Sequence, residues 1–332
     1  MSSKLGVLGC GSWGTALAIQ LARNGNEVRL WGRDQQAIER LSHERVNARY
    51  LPGVNFPDNL YPVASLEAAL EHCDGCLLAV PSKAVSSVLN ACSQWLPETG
   101  VLSATKGFDP VRGQMLHEVV ADILGAHYPF AALSGPSFAR EVGLGMPTAC
   151  SIASTQASFA RQWAYWLHSD GFLPYMSEDV VGVELCGAAK NIIAIACGIS
   201  DGMGFGSNAR AALITRGLAE ITRLGLSLGG QPETFLGLSG VGDLVLTCTD
   251  DQSRNRRFGL MLAEGASFDE AKTRIGQVVE GCNAAQHVWH YAGVYQVRMP
   301  ITEQIHALLT NQTNVQKAAE HLIRARYRQE FS

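Results

Sequence analysis

The sequence predicts an α/β protein in two parts: a doubly wound sheet domain over residues 1–178, then an all-helical domain over 179–332. Two observations carry this. In the first half, short apolar runs at residues 5–8, 28–31, 76–80, 101–104 and 130–133 alternate with helical periods at 85–92 and 114–124. That is the rhythm of parallel strands joined by crossover helices. A strand at 148–153, a helix at 157–167 and a strand near 172–175 extend the sheet. From about Glu178 the strand signals stop, and helical periods follow at 180–199, 209–226, 258–263, 284–291 and 301–309. Glycine-rich stretches at 198–208 and 229–232 read as loops between those helices.

The first strand leads into Gly9-Cys10-Gly11-Ser12-Trp13-Gly14, and a helical pattern follows at once. In that context the glycines have physical tasks. One permits the tight turn, one lets backbone approach a pyrophosphate, and one lets helix pack on strand, with the helix N-terminus facing the phosphates. This is the fingerprint of a Rossmann-type dinucleotide site at Gly9, Gly11, Ser12, Trp13 and Gly14. After the second strand come Gly32-Arg33-Asp34. An Arg there suits the 2′-phosphate of NADP(H), whereas an acid suits the ribose hydroxyls of NAD(H). Arg33 comes first, which favours NADP(H), while Asp34 pulls toward NAD(H).

Composition narrows the function. The 332 residues suffice for two cores, and a hydrophobic share of 47% is ordinary for a folded protein. A net charge of -4 without a basic block gives no nucleic-acid surface, and the segment Arg324-Ala325-Arg326-Tyr327-Arg328 reads as a solvated helix end. No charged-plus-apolar leader precedes the first strand, and no uninterrupted apolar run reaches membrane-spanning length, so the expected location is the cytoplasm, without a membrane partner. Nine scattered cysteines read as reduced core residues. Cys73 and Cys76, after His72, have metal-ligand spacing, but there is no second pair and Cys76 opens an apolar strand; no metal is expected.

Several residues carry possible chemistry. Lys106 stands just beyond an apolar strand, where a nicotinamide would reach, or else is a surface lysine; Ser134-Gly135-Pro136-Ser137 ends the next strand as a turn able to approach a ligand, or as a plain connection. Lys190 lies among Gly187, Ala188, Ala189, Ile192 and Ile193, a costly place for an unpaired ammonium. Asp243 is an isolated carboxylate in an apolar stretch and so a candidate partner. Ser253-Arg254-Asn255-Arg256-Arg257 is a short basic cluster suited to phosphate, or else a solvated helix start.

At these motifs, together with 208–217 and Val279-Glu280-Gly281, the sequence resembles the bacterial NAD(P)-dependent glycerol-3-phosphate dehydrogenase family from Leu5 to about Ile323. The resemblance implies reversible reduction of dihydroxyacetone phosphate to sn-glycerol 3-phosphate by NAD(P)H, for glycerophospholipid synthesis, in a homodimer. It implies that Lys190 is the general acid/base. Lys106, Gly135, Ser137, Asp243, Ser253, Arg254 and Asn255 would contact substrate, with Asn191 and Thr247 as secondary contacts. Ser12, Trp13, Arg33, Lys106, Ala139, Arg254, Val278 and Glu280 would contact the coenzyme. Cys10 stands where alanine is frequent in that family, and Cys282-Asn283-Ala284 is atypical. The other readings are a two-domain 3-hydroxyacid dehydrogenase, which needs no Ser253-Arg254-Asn255 block, and a dinucleotide sensor, which needs no buried lysine.

Overall fold

The computed structural model describes residues 2–323. The segment 324–328 read above as a helix end lies outside the described residues. The chain divides into two compact units, Met1–Glu184 and Leu185–Ser332.

In the first unit the strands are β1 (Lys4–Leu8), β2 (Glu27–Trp31), β3 (Val46–Asn47), β4 (Leu51–Asn55), β5 (Leu60–Val63), β6 (Gly75–Leu78), β7 (Val101–Ser103), β8 (Phe130–Ser134), β9 (Thr148–Ala153) and β10 (Phe172–Ser177). The helices between them are α1 (Ser12–Arg23), α2 (Gln35–Glu44), α3 (Leu66–Leu70), α4 (Val85–Cys92), α5 (Leu116–Leu124), α6 (Ala139–Leu144) and α7 (Ala157–Leu167). Eight strands form one sheet in the order β10-β9-β8-β7-β6-β1-β2-β5, and β3 and β4 pair separately. The strand order reverses beside β1, which is the switch point where open α/β sheets bind ligands at strand carboxyl ends.

Successive residues of the central strands enter opposite cores. Leu5, Val7, Leu77, Leu102, Ala131 and Leu133 face one core, and Leu8, Cys76, Leu78, Val101, Phe130 and Ala132 the other. Period-two alternation with both faces covered explains why these strands read as continuous apolar runs. The sheet departs from the expected all-parallel pattern at one junction, where β9 runs antiparallel to β8. The chain leaving α6 (six residues) enters β9 beside the carboxyl end of β8, with Ser134 opposite Ser151 and Ala132 opposite Ala153.

The second unit holds most of α8 (Val180–Gly202), then α9 (Gly206–Ser227), α10 (Pro232–Leu236), α11 (Asp243–Thr249), α12 (Arg254–Ala263), α13 (Phe268–Ile275), α14 (Glu280–Val294), α15 (Pro300–Leu309) and α16 (Val315–Ile323). Helix α8 is long and apolar enough by length and composition to cross a membrane, and most of it is buried inside the protein. The loop expected over 198–208 is a correction, because helix continues to Gly202 and resumes at Gly206. A Cβ at Gly198 would stand 2.1 Å from the Arg256 carbonyl oxygen, and one at Gly259 only 2.2 Å from that of Ile195. These glycines permit a close crossing of α8 and α12 rather than breaking a helix.

Cys76 is buried in β6. Burial pushes the Cys76 thiol up and the Cys73 thiol up to about 11, so both are protonated at neutral pH. His117, in the first turn of α5, binds Glu184 of α8 through Nδ1 to Oε2 at 2.5 Å, and its backbone N–H donates to Oε1 at 3.2 Å. Burial opposes the imidazolium, but the hydrogen bond and charge of Glu184, with Glu118, raise the His117 pKa above its ordinary 6.5. A raised folded value makes this stabilisation full below pH 6.5 and progressively lost as pH rises through it. Urea midpoints measured between about pH 5 and about pH 9 should show that decline in the unsubstituted chain and a flatter profile in His117→Gln. Superimposable profiles would refute the assignment.

Candidate active site

The turn leaving β1 is fixed by sterics. Gly9 has φ +121°, and a Cβ there would lie 2.5 Å from the Ala79 carbonyl oxygen. A Cβ on Gly14 would lie 1.9 Å from the Gly9 carbonyl oxygen, so the first turn of α1 packs directly on the incoming strand. Gly11 is different. Its φ is -73°, no side chain caps α1 there, and a Cβ would meet nothing within 4 Å. The space in front of Gly11 is therefore open to a ligand approaching the helix N-terminus. Trp13 Nε1 is a buried donor without a partner among the described residues. The glycine cradle and this donor fit a dinucleotide.

Asn47, a residue the sequence reading missed, holds this turn by donating to the Cys10 carbonyl and to Thr15 Oγ1, each at 2.9 Å. It is buried on β3, thirty-seven residues from its partner in the turn, and no local pattern marks it. Beyond β2, Arg33 is exposed. Asp34 caps α2, accepting from the Ala37 N–H at 3.1 Å.

Three predicted residues gather beyond β7 and β8. Lys106 Nζ donates to the Gly135 carbonyl at 3.5 Å, and Ser137 Oγ donates to the same oxygen at 2.9 Å. Gly135 has φ +147°, and a Cβ would stand 2.8 Å from Cys150 Cα, so only glycine fits. Thr105 Oγ1 donates to the Val80 carbonyl at 2.8 Å, which ties the end of β7 to the segment after β6. Ala139 opens α6 nearby in sequence.

In the second unit Lys190 of α8 is buried and donates to Asp243 Oδ1 and, at 2.8 Å, to Thr247 Oγ1. Thr247 in turn donates to the Asp243 backbone carbonyl at 2.6 Å. Asp243 owes its position to a π-turn over Leu238–Gly242, in which the Gly242 N–H reaches the Gly237 carbonyl at 3.2 Å. Gly240 lies in that turn with φ -84° and ψ -105°, and a Cβ there would strike the Phe235 carbonyl oxygen at 2.0 Å. Such turns recur at functional sites because they re-aim one side chain without ending the helical path.

Asn255 Nδ2 donates to Asn191 Oδ1 at 2.8 Å, Asn191 Nδ2 to the Gly187 carbonyl at 3.2 Å, and the Gly281 N–H to Asn255 Oδ1 at 2.9 Å. The two amides thereby join α8, α12 and α14. Ser253 is the N-cap of α12, accepting from the Arg256 N–H at 3.2 Å. Arg254 donates to Gln277 Oε1 at 3.3 Å. Burial lowers its pKa, with Glu280 opposing and Arg257 adding to the shift. Val278 and Glu280 follow Gln277 in sequence, with Glu280 opening α14. The basic run is thus a helix start, but not a solvated one: Asn255 and Arg256 are buried, and Arg256 pairs with Asp251 and, at 2.7 Å, with Asp201. A surface cavity of about 560 Å³ lined by Asn24, Arg161, Tyr165, Trp166 and Met176 shares no residue with these groups.

The switch-point sheet and its glycine turn define the class, an NAD(P)-dependent oxidoreductase with a Rossmann-type unit. The sequence matches the NAD-dependent glycerol-3-phosphate dehydrogenase N-terminus over residues 4–160 and the corresponding C-terminus over 179–320. It is 49% identical over 319 residues to the NAD(P)+ glycerol-3-phosphate dehydrogenase of Legionella pneumophila (strain Paris), covering 96% of each chain. The enzyme of that name from Thioalkalivibrio sulfidiphilus is 53% identical over 304 residues, 91% of each chain. The crystal structure of Coxiella burnetii glycerol-3-phosphate dehydrogenase superimposes with a TM-score of 0.94 at 46% identity, over 98% of this chain and 99% of that one. The chain belongs to the NAD-dependent glycerol-3-phosphate dehydrogenase family.

The glycines yield a discriminating expectation. Gly14→Ala should lower the melting temperature of the coenzyme-free protein, because its Cβ meets backbone. Gly11→Ala should leave melting unchanged while weakening NADPH binding by roughly tenfold or more. Equal effects of the two on both readouts would show that Gly11 does not face the coenzyme.

Proposed function

We propose that this protein catalyses the reversible NAD(P)H-dependent reduction of dihydroxyacetone phosphate to sn-glycerol 3-phosphate, with Lys190 as general acid/base. The observation that carries the reading is the buried Lys190 ammonium held by Asp243 and Thr247. The bound coenzyme supplies the hydride. As negative charge grows on the ketone oxygen, the Lys190 ammonium stabilises it and gives it a proton; in the reverse direction the amine takes that proton back. Asp243 holds the ammonium in place and favours its charged form. Thr247, its own proton donated to the Asp243 carbonyl, presents a lone pair to Lys190 and fixes its direction.

The substrate phosphate is assigned to the guanidinium of Arg254 with Ser253 and Asn255, and the remaining substrate contacts to Lys106, Gly135 and Ser137 with Asn191. Asn191 and Asn255 bond each other, so in this reading they also keep α12 in register with α8. Residues 1–178 hold the coenzyme, through Gly9, Gly11, Ser12, Trp13, Gly14, Arg33, Lys106 and Ala139, and residues 179–332 supply Arg254, Val278 and Glu280. NADP(H) is the favoured coenzyme. Support comes from Asp34, whose carboxylate caps α2, and from Arg33, which makes no hydrogen bond or ion pair among the described residues. A cytoplasmic homodimer serving glycerophospholipid synthesis completes the reading, supported by family membership.

Loss of NADPH absorbance with dihydroxyacetone phosphate tests the reaction. Lys190→Ala, in protein shown to be folded, should reduce kcat by about 10²–10⁴. A variant retaining most of its turnover would remove Lys190 from the mechanism. Arg254→Ala should raise KM for the phosphorylated ketone far more than for dihydroxyacetone itself, and equal increases would argue against a phosphate contact.

A further inference from the structure

Gly32, the first residue past β2, lies where dinucleotide folds place the acid that binds the adenosine ribose. Its φ is outside the left-handed region, so its backbone accepts an L side chain. What excludes one is packing. A Cβ on Gly32 would stand 2.4 Å from Cys10 Sγ, 2.9 Å from Ile38 Cδ1 and 3.4 Å from Cys10 Cβ. Sulfur is thus the nearest obstacle; without it the Cys10 Cβ would be at ordinary contact distance, and what remains is Ile38 Cδ1, the end of a flexible side chain that can turn aside.

Both backbones are anchored. The Gly32 N–H donates to the Val63 carbonyl at 3.2 Å, and the Cys10 carbonyl accepts from Asn47 Nδ2 at 2.9 Å. Neither segment can retreat without losing a hydrogen bond. The Cys10 thiol is half-buried against the α1-side core. Burial raises its pKa, so at neutral pH it is an uncharged space-filling group.

We propose that Cys10 is a coenzyme-specificity residue. Its sulfur fills the space a side chain at position 32 would need, which keeps a ribose-binding acid from the end of β2. Arg33 is then the first side chain beyond the strand, and Asp34 is already committed to capping α2. An incoming adenosine 2′-phosphate would meet a guanidinium with no carboxylate ahead of it in the chain. The proposal rests on the NADP(H) reading and deepens it: the preference comes from a residue of the glycine turn as well as from Arg33.

The test compares Gly32→Ala and Gly32→Asp, each alone and combined with Cys10→Ala, alongside Arg33→Ala and the unsubstituted protein. Melting of the coenzyme-free proteins and titrations with NADPH and NADH are the readouts. Gly32→Ala should melt lower when Cys10 is present and recover when Cys10→Ala is added. Gly32→Asp with Cys10→Ala should bind NADH roughly tenfold or more tighter than Gly32→Asp alone. Melting of Gly32→Ala that does not respond to Cys10→Ala would overturn the packing argument. A double variant that binds NADH no better than Gly32→Asp would overturn the specificity role. Failure of the NADP(H) reading is separately visible: the unsubstituted protein would bind NADPH and NADH equally, and Arg33→Ala would change neither.

Discussion

An ammonium taken out of water must be answered by an anion and by acceptors for its protons, and the helices around Lys190 are arranged to meet that requirement. The uncompensated cost is several kcal/mol even after relaxation. Asp243 and Thr247, both buried, supply the answer from α11. They stand four residues apart and so share one helix face. The π-turn before α11 sets where Asp243 begins that helix, and the turn can form because Gly240 carries no side chain to strike Phe235. A buried ion pair is weak evidence for stability, since well-packed apolar residues of similar volume often do as well or better. In the proposed reaction its presence in an otherwise apolar helix has a use, that of a positioned proton donor.

The first unit meets its own constraint with backbone sterics. Gly6 lets α3 approach β1, because a Cβ there would lie 2.7 Å from the Ala69 carbonyl oxygen. Gly9 and Gly14 leave similarly little room. These three glycines are explained by the protein's own packing, and Gly11 is not. A position kept small without an internal neighbour points outward to something that must come close. Asn47 then stabilises the turn from outside the motif by accommodating a carbonyl the turn leaves unpaired within its own backbone.

Much of this was legible in the sequence, and what was not has identifiable causes. The glycine turn and Lys190 could be found because each breaks a local rule, three glycines between a strand and a helix and a charge inside an apolar run. The stretch 198–208 misled because glycine is locally a breaker, while the close crossing of Gly198 with Gly259 involves a residue sixty-one positions away. The direction of β9 was hidden because residues 148–153 have the same apolar character whether they pair parallel or antiparallel. Asn47 and Gln277 escaped notice because an amide's partners leave no periodic trace. Asp34 was ambiguous until its hydrogen bond to the Ala37 N–H showed that a charge beside a candidate site can already have a structural role.

The same distinction sorts the basic run at the start of α12. Cations at a helix N-terminus oppose the positive end of its dipole, so this placement is locally unfavourable. Arg256 is compensated by Asp201 and Asp251, and Arg210 shares Asp201 with it at 2.8 Å. Arg254 has a weaker arrangement: a neutral amide oxygen at 3.3 Å from Gln277 and the more diffuse field of Glu280, with Arg257 acting against it. Burial is the main cause of its lowered pKa, with Glu280 opposing and Arg257 adding to it, although a guanidinium remains charged at neutral pH. In the proposed reaction a phosphate dianion would offset both the Arg254 charge and the positive dipole end of α12. The phosphorylated ketone would then complete an electrostatic arrangement that the protein's own carboxylates leave unfinished, and an unphosphorylated hydroxyketone would leave it as it is.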